Sequence, residues 1–374
     1  MYDMSIITII LFLLILTVLV FVHELGHFMV AKWTGMKVEE FSIGFFEPRL
    51  FVKKIGDTEY SIRPFLLGGY VKIYGENDVD GTAANDTRAF NNRPYLAKMA
   101  TLVAGVTMNL ILAYVLFVVL SFGTTTVATD DARFVGRMEN RRMVILEVLP
   151  DSPAGKSNIA PGAVLLSVVA RGEKAPLTDP ASTVAFINRH ENDAITITYR
   201  NPGVSNEAST TLALVYGVLP EDKDKKALGV SLEQIADVHV GLRESFTLAG
   251  TQLMTYTKMT FSGLGQLVSQ TIHGNNVLNS LSGPIGIASM VGQARTLGYE
   301  SVLLLTAFLS LNLAVLNILP LPALDGGQMV RVTIEAVIRR RLQGVVANWI
   351  NIISFALLIT LLLVVSIHDV IKLF

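Results

Sequence analysis

Four apolar stretches, at residues 6–31, 99–122, 301–319 and 349–367, are each long enough to cross a bilayer as a helix. A hydrocarbon core of about 30 Å needs about 20 helical residues, and with no water inside it every backbone polar group must be bonded within the chain. The expected fold class is therefore a multi-pass α-helical membrane protein with four transmembrane helices. Composition agrees, with 51% hydrophobic and 16% charged residues among 374. The length outside the spans leaves room for one extramembrane domain of about 100 residues. A net charge of -1 without long like-charged runs excludes a nucleic-acid backbone as partner and leaves the lipid bilayer as the surrounding one.

The first stretch is not read as a removable leader, because the residues before it carry no Lys or Arg and no small-residue cleavage site follows. Lys32, Lys37, Lys53 and Lys54 follow the first span and Arg88, Arg93 and Lys98 precede the second, while Arg331, Arg339, Arg340 and Arg341 lie between the third and fourth. By the positive-inside rule both connections are cytoplasmic, and the long connection at 123–300 lies outside the cytoplasm with both termini.

His23-Glu24-Leu25-Gly26-His27, at the end of the first span, spells H-E-x-x-H. Positions i and i+4 share a helical face, so the two imidazoles can hold one Zn²⁺ with Glu24 beside them as general base. Ionisable side chains in a span are costly, and two of the six histidines fall in this motif, so packing or capping is the weaker explanation. His23 lies about 26 Å along the helix from Ile6, at roughly 1.5 Å per residue, which puts the metal near the cytoplasmic side. Cysteine is absent, so a third ligand must be His, Asp or Glu. Catalytic zinc usually takes three protein ligands.

The third span ends in Asn317-Ile318-Leu319-Pro320-Leu321-Pro322-Ala323-Leu324-Asp325-Gly326-Gly327. The prolines break the helix and present Asp325 after an apolar segment. Since the first and third spans run in the same direction, Asp325 emerges at the face that carries His23 and His27. An Asp that only caps the next helix is the competing explanation.

Together FVHELGH at 21–27, NILPLPALDGG at 317–327 and SGPIGIA at 282–288 resemble the site-2 protease family of intramembrane zinc metalloproteases, in particular its bacterial regulator-of-sigma-E protease branch. The resemblance implies one zinc ion held by His23, His27 and Asp325, Glu24 as the catalytic residue, and substrate positioning by Asn317, Pro320 and Pro322. It also implies a place in the bacterial inner membrane. Substrates would be single-pass membrane proteins, such as a trimmed anti-sigma factor or a leftover signal peptide. In the second span, Gly105-Val106-Thr107-Met108-Asn109 matches the family's G-x-x-x-N pattern, although the family usually has Pro where Val106 stands. Asn109 can serve the developing oxyanion or hold substrate, or it can be an interhelical hydrogen bond of the kind common in bundles.

Residues 38–74 carry β-branched and aromatic strands at 38–45, 49–54, 58–63 and 69–74, with a hairpin turn at Ile55-Gly56-Asp57. This small membrane-associated β-sheet, with Gly69, Tyr70 and Val71 in the resemblance's L-G-G-Y-V-K signature, could receive an unwound substrate as an added strand or merely cover the protein. Residues 130–218 read as one extracytoplasmic PDZ-like α+β domain, with strands at 144–149, 163–170, 194–200 and 210–215 and a helix at 181–189. Its S-P-A and P-G signature is PDZ-like, although the usual Asp after P-G is replaced by Ala163. Residues 219–300 are expected to be linker helices, with an amphipathic helix at 241–272 lying in the interface or buried. The expected domains are thus 1–122, 130–218, 219–300 and 301–374. A catalytically inactive scaffold would not need His23, Glu24, His27 and Asp325, and a transporter would spread its ligands along a path instead of clustering them at one face.

Overall fold

The computed structural model describes residues 5–76, 85–149, 151–218, 225–274, 281–321, 323–340 and 344–373. In chain order the elements are α1 (Ile6–Trp33), β1 (Val38–Phe45), β2 (Phe51–Ile55), β3 (Thr58–Ile62), β4 (Phe65–Ile73), α2 (Tyr95–Ser121), β5 (Gly123–Ala128), β6 (Glu139–Val148), β7 (Ala163–Ala170), β8 (Glu173–Lys174), α3 (Pro180–Arg189), β9 (Ile195–Arg200), β10 (Ala208–Leu212) and β11 (Val230–Val240). Five helices follow: α4 (Leu242–Ile272), α5 (Pro284–Leu297), α6 (Tyr299–Asn317), α7 (Asp325–Ile338) and α8 (Gly344–Leu373). The chain forms two compact units, one of residues 1–120 and 246–374, the other of 121–245.

In the first unit, α1, α2 and α6 have the length and apolar character of membrane spans, three among the described residues against four expected. The fourth expected stretch falls in α8, whose described apolar part is Leu362–Ile371. Helix α1 begins where the Ser5 hydroxyl accepts from the Thr8 N–H (3.3 Å), a side-chain N-cap that satisfies one orphan donor. It ends at Thr34, with Gly35 in the left-handed conformation (φ +77°). Helix α5 lies against α1 and α6, burying Val291 with Ile15 and Leu19. A third helix thereby fixes the pair that brings the site together.

The SGPIGIA motif has a concrete role in this packing. The N–H groups of Gly283 and Gly286 both donate to Asp369 Oδ2 at 2.8 Å, so a buried carboxylate from α8 fills the unsatisfied donors at the start of α5. A Cβ on Gly283 would stand 2.8 Å from that oxygen, so a larger residue would have to push the carboxylate aside. The amphipathic segment expected at 241–272 is α4. Ala249, Leu253 and Tyr256 pack with Ala113 and Phe117 of α2 and Leu311 of α6, and the Thr260 hydroxyl donates to Asn312 Oδ1 (2.8 Å). It is a packed helix on the bundle.

The four-stranded sheet has the order β2-β3-β1-β4, with β1 parallel to β3 and antiparallel to β4. Gly56 turns the β2–β3 hairpin with φ +61°. One face sets Phe41 against Phe21 and Phe28 of α1. Another set of side chains forms a polar cluster: Arg63 and Ser61 both donate to Glu40 Oε1 at 2.8 Å. Arg63 also lies 5.5 Å from the Tyr70 ring. Tyr70's phenol interacts with Glu40 as well, and burial together with that carboxylate pushes the phenol up to about 12.

The second unit is a seven-stranded sheet of order β10-β9-β7-β6-β11-β5, with β8 on β7, and the helix α3. It runs past both ends of the expected 130–218 domain. The outlying strands are β5 and β11, paired antiparallel from Val240 with Gly123 to Ile235 with Ala128. Strand β11 occupies a stretch expected as linker helix, because its strand partners β6 and β5 lie far back in the chain, where no local pattern announces them. Ile145, Leu165, Ile195, Ile197 and Phe186 build its core.

Candidate metal centre

Close helix crossing comes first. A Cβ on Gly26 would stand 2.4 Å from the Ala104 carbonyl oxygen, and one on Gly105 would stand 2.3 Å from His27 Nε2. Each glycine therefore admits the facing helix, the small-residue contact that lets membrane helices approach. After α6, the chain turns at Pro320 and starts α7 at Asp325. A Cβ on Gly326 would meet the Leu319 carbonyl at 2.2 Å, so the turn can fold tightly beneath the new helix. The D-G-G run serves this approach and leaves Asp325 in the first turn of α7, where a carboxylate is favoured by the helix dipole.

These elements bring His23, His27 and Asp325 together as a group able to hold a metal ion. Asp325 Oδ2 lies 3.1 Å from His23 Nε2 and 3.4 Å from His27 Nε2, and the two Nε2 atoms are 3.1 Å apart. Asp325 Oδ2 is buried without a hydrogen-bond partner of acceptable angle. Short separations without donor geometry are what lone pairs converging on a common point produce. His27 Nδ1 lies 2.8 Å from the Thr101 carbonyl oxygen. A carbonyl only accepts, so Nδ1 carries the proton and Nε2 offers its lone pair inward.

His23 faces Asn109, whose amide nitrogen Nδ2 is 3.2 Å from Nδ1. Asn109 is fully buried (0% exposed) and its Oδ1 is otherwise unpartnered. Turning that amide over would set Oδ1 toward Nδ1–H and satisfy both groups, the tautomer that leaves His23 Nε2 free to ligate. The donor set of two imidazoles and one carboxylate suits zinc with an open fourth position.

Glu24 follows His23 on α1, in electrostatic contact with His27, His23 and Asp325, and its carboxylate accepts from the Val71 N–H of β4. Asn317, the last residue of α6, has its amide nitrogen 3.4 Å from His23 Nε2. Pro320 is exposed in the turn, and Pro322 lies outside the described residues. Gly69 lies across from Ile43 in the β1–β4 register, and a Cβ there would stand 2.7 Å from the Ser42 carbonyl oxygen. Of the expected positioning residues, Asn109, Asn317 and Val71 are thus brought to the centre, while Tyr70 is engaged by Glu40 and Arg63.

Two groups at the centre had no expectation attached. The Thr101 carbonyl is main chain, so no residue letter announces it. Glu76, just after β4, interacts electrostatically with His27, Arg331 and Asp325 and accepts from Gln328, and burial pushes its carboxyl up.

A membrane-embedded zinc metalloprotease is the class that this combination defines: apolar spans, an H-E-x-x-H helix and an aspartate at the start of the helix that follows another span. The chain belongs to peptidase family M50, whose model matches residues 11–361. It is similar over 368 residues, at 32% identity and covering 96% of this chain and 97% of the relative, to a candidate zinc metalloprotease of Clostridium perfringens. Similar proteins with the same description come from Mesorhizobium japonicum, at 32% identity over 89% of this chain and 90% of the relative, and from Nostoc, at 32% over 86% and 84%.

Proposed function

We infer that this enzyme hydrolyses peptide bonds in or beside the transmembrane segments of other membrane proteins, as an intramembrane protease of the site-2 type using one zinc ion. The observation that carries this reading is the place of the donor set, at the end of α1 and beside the edge strand β4, whose Val71 N–H reaches Glu24. Zinc held by His23, His27 and Asp325 supplies Lewis acidity toward the scissile carbonyl and makes water acidic. Glu24 accepts the water's proton and later delivers it to the leaving amine nitrogen. Asn109 and the Thr101 carbonyl hold the two imidazoles in the ligating tautomer. Asn317 stands where it can meet the substrate carbonyl, with Pro320 and Pro322 shaping the approach.

A substrate helix keeps its carbonyls bonded and surrounded by side chains, so it must unwind before cleavage. Strand β4 offers the means. It is the last strand in the sheet order, paired with β1 on one side, and an unwound segment can add to the other side through main-chain bonds.

The remaining features follow from the same reading. The 349–367 stretch is a fourth span, the enzyme resides in the bacterial inner membrane with its metal near the cytoplasmic side, and residues 130–218 act as an extracytoplasmic PDZ domain that screens substrates. Single-pass proteins are the substrates, either trimmed anti-sigma factors or leftover signal peptides. The full set of His23, Glu24, His27 and Asp325 argues against an inactive scaffold.

The test is Glu24→Gln in full-length enzyme reconstituted with a single-pass substrate. Cleavage should fall by about 10²- to 10⁴-fold, the usual worth of a general base, with zinc content unchanged and the uncut substrate recovered by mass spectrometry. Turnover at the parental rate with one zinc bound would refute the role of Glu24.

A further inference from the structure

Two of the three metal ligands have a seat of their own. His27 rests on the Thr101 carbonyl and His23 faces Asn109, the kind of outer partner that keeps a ligating side chain in orientation. Among the described residues, the Asp325 carboxylate meets no hydrogen-bonding group beyond the two imidazoles. Its position is therefore set by the helix that carries it. Helix α7 starts just after the turn that follows α6, and the first turn of a helix has the fewest bonds to hold it.

We infer that Glu76 is a positioning residue of the metal centre: it clamps the start of α7 to the end of β4 through Gln328 and Arg331, and so holds Asp325 where it can ligate. The inference rests on the zinc site proposed above and names a residue which that site requires.

The end of β4 is a firm mount. The strand stops at Ile73, and Gly75 turns the chain in the left-handed region with φ +73°. The Tyr74 N–H donates to the Lys37 carbonyl (2.9 Å) and the Phe90 N–H to the Tyr74 carbonyl (2.8 Å). The Asn91 amide donates to the Glu76 carbonyl (3.3 Å). Glu76 thus stands on a main chain tied to two other segments.

The facing side of α7 carries the matching groups. Asp325, Gln328, Met329 and Val332 fall at i, i+3, i+4 and i+7, one face of a helix. Met329 and Val332 are buried in the same core as Ile73 of β4 and Phe90, so this face is packed on the end of the strand. Glu76 completes the contact, its carboxylate accepting from Gln328 and lying in the field of Arg331, with His27 and Asp325 close by. The Gln328 amide nitrogen makes that bond, and its Oε1 is buried with no partner. Apolar packing is non-directional and leaves a helix free to rotate slightly on its support. A directed bond one turn after Asp325 removes that freedom.

The clamp also relates the ligand to the strand proposed to receive substrate. Val71 and Glu76 lie on one short stretch of chain; the first reaches Glu24 and the second reaches α7. One segment thereby touches both the general base and the helix of the third ligand.

The experiment measures zinc binding to the full-length enzyme in detergent, by titration against a competing chelator, and does not depend on cleavage. Glu76→Ala should weaken zinc binding by about tenfold or more, the usual loss when a group behind a ligand is removed. Gln328→Leu should do the same from the α7 side, and the double variant should be no weaker than the worse single, because one clamp is broken once. Glu76→Gln still offers an oxygen to the Gln328 amide and should recover most of the affinity. In metal-free protein, Glu76→Ala should speed hydrogen exchange in the first turns of α7 and leave α1 and α2 as in the parent. Parental affinity in Glu76→Ala, additive losses in the double variant, or no recovery by Glu76→Gln would each overturn the proposal. Faster exchange throughout α1 and α2 would also overturn it, reducing Glu76 to general packing. If Glu76→Ala does not fold, Gln328→Leu carries the same expectation. A parent that binds no zinc would overturn the zinc reading itself, whereas a parent that binds one zinc with these variants unchanged would overturn only the clamp.

Discussion

The two units of the chain treat buried polar groups in opposite ways. In the membrane unit, His23, His27, Asn109, Asp369, Glu40 and Arg63 are all buried, and each faces a defined partner: another ligand, a ring nitrogen, a helix terminus or an ion-pair mate. In the 121–245 unit the core is almost entirely aliphatic and aromatic. Its buried polar side chains include Ser152, Thr183, His190 and Ser245, each bonded to a nearby carbonyl. Burying polar groups is expensive unless every one is paired. The first unit bears that cost at the places where chemistry or helix seating requires it, and the second has no comparable cluster among its described residues.

The comparison breaks most visibly if the aliphatic core is damaged. Ile195 is fully buried in β9, and Ile195→Ala should cost the 121–245 unit about 2–5 kcal/mol, the usual range for such a cavity. Hydrogen exchange in intact protein should show faster exchange across β6, β7 and β9, with zinc content unchanged. If zinc were lost as well, the two units would not be separately stable.

Asn109→Leu is the reciprocal change. It keeps the volume and removes the amide that orients His23, so zinc affinity should fall about 10- to 100-fold, as for other groups that hold a ligating histidine. Exchange protection in β6, β7 and β9 should be unaffected. Zinc titration against a competing chelator measures the first quantity. Unchanged affinity would return Asn109 to a plain helix contact, with Ser310 donating to its carbonyl at 2.8 Å.

How much of this was legible in the residues depended on the range of the signal. H-E-x-x-H is readable because i and i+4 lie on one helical face, and Asp325 because two parallel spans end at one level. The β2–β3 hairpin was visible in Gly56-Asp57, and β7 in its unbroken run from Ala163. Strands β5 and β11 were missed because Gly-Thr-Thr-Thr-Val-Ala and the imperfect alternation of 230–240 become sheet only through distant pairing, β5 with β11 and β11 also with β6, with a register shift between Ile235 and Asp237 on the β6 side. The seat of His27 on a main-chain carbonyl had no letter to read. Glu76 was an ordinary acid after a strand until the fold enclosed it. Tyr70 belongs to the signature at β4, yet its side chain completes a polar cluster within the sheet, a role that period-2 alternation permits and does not announce.

The smallest effect, and the sharpest, concerns the edge of β4. Val71 pairs in register with Phe41 of β1, while its N–H is turned to Glu24, on the side where a substrate strand would add. Proline is tolerated at such an edge position, since no ladder bond to β1 is lost. Val71→Pro should therefore leave the sheet and the zinc content intact and slow cleavage about fivefold, the worth of roughly one hydrogen bond. The two uses of that N–H give different patterns. If it serves by adding the substrate as a strand, substrates with Gly or Pro near the cut should suffer less, because their helices cost less to open. If it serves by orienting Glu24, every substrate should slow by the same factor. Parental rates on all substrates would remove both roles and leave β4 as a cover over the metal centre.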